Sequence, residues 1–386
     1  MEKQVDSRTL MMGKTLYRVI PYVKYEGKNG QTLSSMSKTF FEYLGIADME
    51  RIHSQILAWI FSSDCNALSE SQKRDLVMNI FKLENVLEIK HILTESQRID
   101  IIIETDSDLI VIENKLKPSQ HSNQLERYVE LFRKTHKVKP KFYFLTLIDE
   151  IVRDPNWKRI SYTHIFNALQ KIRLSENSHS VILTEYIAYL GKLSGLLIDF
   201  QNDSKKYDMV FLDGKKKKAD KLNFLYKNEY ERFIAENQLE TILQKSFLTS
   251  LSLRIEKVNT FVTDTRGDAL IDFHLKPNIY FGGKRFMTMI QLQNDVIKFA
   301  FLVADKYGSS RKDWIQGMIP KMLELSSENT FGYVKCNRPK TKAYISISKK
   351  LNRNYWHMNM DELVAFIEQE IDNGNRLTEL LESKLN

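Results

Sequence analysis

The chain has 386 residues, 42% apolar and 27% charged, with only 14 Gly and 7 Pro, which excludes a linker, a repeat array or a disordered tail and argues for two domains at ~100 to 200 residues each. Two cysteines, Cys65 and Cys336, exclude a disulfide framework and a Cys-rich zinc site and point to a reducing compartment. Net charge is +8, which suits a polyanionic partner such as nucleic acid, and no window approaches the ~18 uncharged apolar residues of a membrane span, so a cytoplasmic protein with no membrane partner is expected.

Residues 1–45 carry a short apolar pattern and a turn-rich stretch at 26–30, the signature of a hairpin or a loose arm. Ile52, Ile56, Trp59 and Ile60 then recur at spacings of three and four. They predict a helix with Asp48 as N-cap and Glu50 in its first turn, and a second helix follows over 69–81. The period then changes: 86–93, 98–104 and 109–113 are short aliphatic runs, the last two separated by the turn composition of 105–108, and together they predict a β-meander. A helix over 124–134 and a buried strand over 141–147 complete a mixed sheet flanked by helices, with further helices over 162–174 and 182–197.

Lys215–Lys218 marks an exposed boundary. The expected organisation is an arm at 1–45, an α/β domain at 46–204, a Lys-rich linker or loop at 205–222 and an α+β domain at 223–386. That last domain is expected to open with a helix over 224–245, continue as strands and end in a helix over 361–385. Its expected role is substrate recognition, partner binding or self-association.

The chemistry concentrates in Arg98-Ile99-Asp100-Ile101-Ile102-Ile103-Glu104 and Leu109-Ile110-Val111-Ile112-Glu113-Asn114-Lys115. A carboxylate embedded in an aliphatic strand is costly unless its charge is compensated, and a divalent cation held by oxygen ligands does so. Asp100 and Glu113 sit thirteen residues apart across a tight turn, so they reach one edge of the sheet together. Glu113 and Lys115 differ by two and share a strand face.

This arrangement resembles the PD-(D/E)XK nuclease superfamily, in its RecB-like Q-x-x-x-Y branch, over the N-terminal half of the chain. Glu50-Arg51-Ile52-His53-Ser54 is similar to the E-x-x-H-S opening of the first helix in one part of that superfamily, and Gln124-Leu125-Glu126-Arg127-Tyr128 supplies the Q-x-x-x-Y. The Pro of the family name is replaced by Ile99. The resemblance implies a restriction-endonuclease-like core and a Mg²⁺- or Mn²⁺-dependent nuclease, a hydrolase of phosphodiesters with DNA as the expected substrate and host defence or DNA processing as its setting.

It further implies that Asp100, Glu113, the Asn114 main-chain carbonyl and Glu50 bind the cation. Lys115 would position the attacking water or act as base, and Gln124, Tyr128 and His53 would support the site or touch substrate. The competing readings are a non-catalytic nucleic-acid-binding or assembly module on the same fold, and an RNase.

Overall fold

The computed structural model describes residues 9–12, 15–18 and 38–385, apart from 48, 97, 117–123, 136–139, 149, 151, 153, 212–227, 266, 282–283, 304–310 and 338–343. The predicted Asp48 cap, the turn at 26–30 and Lys215–Lys218 lie outside the described residues. Near the N-terminus β1 (Thr9–Met12) and β2 (Thr15–Arg18) pair antiparallel.

Helix α1 (Phe40–Leu44) opens on a capping box between Thr39 and Glu42 and closes on Gly45, whose φ of 61° suits a residue without a side chain. Phe41 packs against Tyr186 and Tyr189, and Lys192 donates to Glu42 at 2.7 Å. The packed body therefore begins at about residue 38, ahead of the predicted start at 46.

Helices α2 (Glu50–Phe61) and α3 (Glu70–Phe81) follow as expected. The buried stripe of α2 runs through His53, Leu57, Ile60 and Phe61, so Ile52, Ile56 and Trp59 are only partly covered. β3 (Ile89–Ser96), β4 (Ile99–Thr105) and β5 (Leu109–Lys115) form the antiparallel meander. The β4–β5 turn is closed by its own side chains: Thr105 Oγ1 accepts from the Asp108 N–H at 2.8 Å, and Asp106 accepts from the N–H groups of Leu87 and Glu88. A crossover through α4 (Gln124–Thr135) brings β6 (Pro140–Thr146) parallel to β5, and β7 (Trp157–Ser161) lies parallel to β6. β7 escaped sequence reading because its apolar anchors, Trp157 and Ile160, face opposite sides of a short strand.

The sheet order is β3-β4-β5-β6-β7, which places β5 in the centre. Ile101, Ile103, Ile110, Ile112, Tyr143 and Leu145 join one core with α2, α3, α5 (Tyr162–Leu169) and α6 (Ser178–Asn202). The alternate residues Ile102, Leu109, Val111, Phe142 and Phe144 join a smaller core under α4. This is a helix–sheet–helix sandwich.

Against expectation, α6 is long and apolar enough to match a membrane span by length and composition. Its apolar stripe, Tyr186 to Phe200, is buried in the core, and packing accounts for the hydropathy. The predicted boundary at 205 also shifts. A turn at Ser204–Tyr207 and α7 (Asp208–Phe211) are packed, with Phe211 stacked on Trp356 at 4.7 Å.

The predicted helix over 224–245 is two, α8 (Glu229–Glu236) and α9 (Glu240–Ser252), separated where Gln238 takes a φ of 54°. An antiparallel sheet follows: β8 (Asn259–Thr265), β9 (Asp268–His274), β10 (Ile279–Phe281), β11 (Lys284–Gln293), β12 (Val296–Val303), β13 (Lys335–Asn337) and β14 (Tyr344–Lys350). α10 (Arg311–Glu328), hidden from propensity by Gly317 and Pro320, and α11 (Met360–Leu385) complete this α+β region. Tyr189 meets Phe233 edge-on at 6.0 Å, and buried residues from Phe41 to Leu381 form one continuous cluster.

Candidate active site

The last hydrogen-bonded pair between β4 and β5 on this side is Ile101 opposite Ile112. One step further, the Asn114 N–H donates not to a β4 carbonyl but to the Asp100 carboxylate, at 2.6 Å. The strands part here, and Asp100 and Glu113 occupy the opening. Side-chain alternation on β5 sends Glu113 and Lys115 to the α4 side and Asn114 to the α2 side.

Glu113 is 1% exposed. Its Oε1 accepts from Gln124 Nε2 at 2.9 Å and lies 3.0 Å from Lys115 Nζ. Its Oε2 is buried with no hydrogen-bond partner among the described residues. Gln124 also donates to the Tyr128 hydroxyl at 2.8 Å, and Tyr128 donates to the Arg98 carbonyl at 2.7 Å. The i, i+4 spacing on α4 thus serves two purposes: Gln124 fixes Glu113, and Tyr128 fixes the start of β4, two residues before Asp100. The partners that Gln124 and Tyr128 find in the site are thus Glu113 and the Arg98 carbonyl.

Glu50, first residue of α2, accepts from the Leu116 N–H at Oε1 (3.0 Å) and faces Lys115 Nζ at Oε2 (3.4 Å). Burial pushes the Asp100 carboxyl up to about 6, with Glu50 and Glu95 adding to the rise and the Asn114 N–H and Lys115 opposing it. Glu113 is pushed up to about 7, again by burial first and by Asp100 second, against Lys115. Burial alone would lower Lys115, but Glu113, Glu50 and Asp100 outweigh it and hold the ammonium above its ordinary value.

No group of three or more His, Cys, Asp or Glu side chains among the described residues is arranged to share an ion. The donor set is instead the buried Glu113 carboxylate and the half-buried Asp100 carboxylate. An unpartnered, buried carboxylate oxygen with a second carboxylate beside it fits a hard divalent cation.

His53 does not join this set. It is fully buried, with Nε2 3.2 Å from the Ile46 carbonyl and Nδ1 2.9 Å from the Tyr186 hydroxyl. A carbonyl only accepts, so Nε2 carries the proton and Nδ1 accepts from Tyr186. A substrate contact by His53 is thereby corrected to a core role, in which its ring packs edge-on against Tyr162 at 5.4 Å. Two residues that the sequence analysis left without a role do reach the site. Ser54, the last residue of the E-x-x-H-S opening, and Tyr162 both bond the Asn114 side chain.

Residues 38–188 match the family model of the PD-(D/E)XK nuclease superfamily, and the N-terminal half of the chain carries a domain of that superfamily. No curated protein and no solved structure matches the chain.

Proposed function

We propose that the protein is a Mg²⁺- or Mn²⁺-dependent nuclease that hydrolyses phosphodiesters in DNA. The observation that carries this reading is Glu113 Oε2, a buried carboxylate oxygen with no hydrogen-bond partner among the described residues, beside Asp100 and an ammonium held in place by two carboxylates. Asp100 and Glu113, with the Asn114 carbonyl and Glu50 as further donors, would hold the divalent cation, and the chemistry it would supply there is charge that offsets the phosphate. Lys115, kept protonated by its neighbours, orients the attacking water and stabilises negative charge developing on the phosphate. Gln124 holds Glu113 with one oxygen engaged and the other left over. Tyr128 anchors the β4 start that presents Asp100.

A cytoplasmic setting in host defence or DNA processing, and substrate or partner binding by the C-terminal region, complete the proposal. Gln124 and Tyr128 support placing it near the RecB-like branch. The test is cleavage of linear, circular and single-stranded DNA and of RNA, with Mg²⁺, Mn²⁺ or chelator. Metal-dependent loss of DNA is expected. Chelator-resistant cleavage, or none on any substrate, would overturn the reading, and cleavage of RNA alone would reassign the substrate.

A further inference from the structure

Asn114 is the middle residue of the Glu-x-Lys triplet, and its side chain, 0% exposed, points to the face opposite its two neighbours. Its Nδ2 donates to the Glu50 carbonyl at 3.0 Å and to Ser54 Oγ at 3.0 Å, and its Oδ1 accepts from the Tyr162 hydroxyl at 2.8 Å. Ser54 Oγ donates to the same Glu50 carbonyl at 3.0 Å. That carbonyl can only accept, so chemistry fixes which end of the amide faces α2. The end of α2 so fastened has no side-chain cap of its own, since its N-cap is Met49. Glu50 therefore straddles β5. Its main chain is tied to residue 114 on one side of the strand, and its carboxylate is tied to Lys115 and the Leu116 N–H on the other.

From this geometry we infer that Tyr162, acting through the Asn114 amide, and Ser54, acting through that amide and directly on the Glu50 carbonyl, are positioning residues that hold Glu50 against Lys115. A buried, hydrogen-bonded chain of this kind has one low-energy arrangement, and shortening it by one hydroxyl leaves a buried acceptor or donor without its partner. Tyr162→Phe removes only the hydroxyl that orders the Asn114 amide, from a residue on α5. The effect on Lys115 is then transmitted through Asn114 and Glu50.

The decisive measurement is hydrogen exchange of the Leu116 amide in the full-length protein, because that amide reports the Glu50 carboxylate directly and needs neither metal nor turnover. Tyr162→Phe and Ser54→Ala should each speed its exchange ~10-fold, the equivalent of one hydrogen bond lost. Glu50→Ala should do the same, and the Tyr162→Phe/Glu50→Ala double variant should exchange no faster than Glu50→Ala, since both act on one path. Amides of α3 and of the C-terminal sheet should keep wild-type rates.

The catalytic consequence rests on the nuclease reading: kcat falls ~10-fold in Tyr162→Phe while KM for nucleic acid stays within about twofold. Unchanged Leu116 exchange in both Tyr162→Phe and Ser54→Ala, or acceleration spread evenly over the whole chain, would overturn the inference. A wild-type protein that cleaves nothing would overturn the nuclease reading instead, and the exchange comparison would still decide the positioning role. Should Tyr162→Phe fail to fold, Ser54→Ala carries the same comparison.

Discussion

The Asp100 carboxylate accepts the Asn114 N–H at 2.6 Å where a β4 carbonyl would otherwise do so. A ladder position is thus filled by a side chain, the two strands separate, and the carboxylate is drawn into a half-buried place next to Glu113. This local departure from sheet geometry makes room for chemistry at the end of an otherwise regular hairpin.

One consequence is a stability cost that depends on pH. Asp100 and Glu113 are raised from ordinary values of 3.8 and 4.5 to about 6 and about 7, by burial first and by their neighbouring carboxylates next. An acid whose folded value lies above its unfolded one stabilises the fold fully below the unfolded value. That contribution is lost as pH rises through the folded value. Asp100→Asn should therefore be more stable than wild type at pH 8, by on the order of 1–3 kcal/mol, and no more stable at pH 4. Denaturant titrations at the two pH values check the sign, and cleavage should be abolished in the same variant.

Lys115→Arg separates positioning from simple charge. The guanidinium keeps the positive charge but cannot reproduce a compact ammonium between Glu113 and Glu50. Cleavage should slow by at least ~100-fold while cation and nucleic-acid binding stay near wild type. Weakened binding with a near-normal maximal rate would assign Lys115 to substrate capture.

On α4, Gln124→Leu deprives Glu113 Oε1 of a donor and breaks the link to Tyr128. We expect a ~10- to 100-fold fall in maximal rate with little change in melting temperature. Tyr128→Phe frees the Arg98 carbonyl and should cost ~1 kcal/mol of stability and a smaller loss of rate. Steady-state kinetics beside thermal melts separate the two outcomes.

His53 offers the opposite pattern. His53→Ala opens a cavity among aromatic rings and strips partners from the Tyr186 hydroxyl and the Ile46 carbonyl, which should cost ~2–4 kcal/mol. Activity per folded molecule should survive at low temperature. A stable variant without activity would return His53 to the reaction.

Truncation tests the continuity of the core. Ending the chain at 205 removes Phe211, Phe233 and Leu243, which are buried in the same cluster as Tyr189, Leu193 and Phe200 of α6. The fragment should be insoluble or molten, read as dye binding with loss of near-ultraviolet dichroism. A cooperative, soluble fragment would show that the halves fold independently.

Much of the Asp100–Lys115 hairpin is legible in the sequence alone. The aliphatic runs, the Thr105–Asp108 turn and the spacing of Asp100, Glu113 and Lys115 are local, and local patterns survive in sequence. The partners of those residues were not. Gln124 could be placed on a face of α4, but whether it reached Glu113 or Lys115 depends on how the crossover docks. His53 and Tyr162 carry no period that separates a core aromatic from a site residue. Packing across residue 205 was hidden for a similar reason: charge marks the lysines, while the stacking of Phe211 on Trp356 joins residues far apart in the chain.

The Glu113 face of the sheet rests on the lesser of the two cores, ten buried residues among those described, gathered between the sheet and α4. Detaching that helix exposes far less apolar surface than unfolding the whole chain, so it is a lower-energy excursion. It would take with it the donor to Glu113 and the anchor at Arg98. The site is thus built with a weak link, and on the nuclease reading warming should silence cleavage, reversibly, several degrees before far-ultraviolet dichroism records any melting.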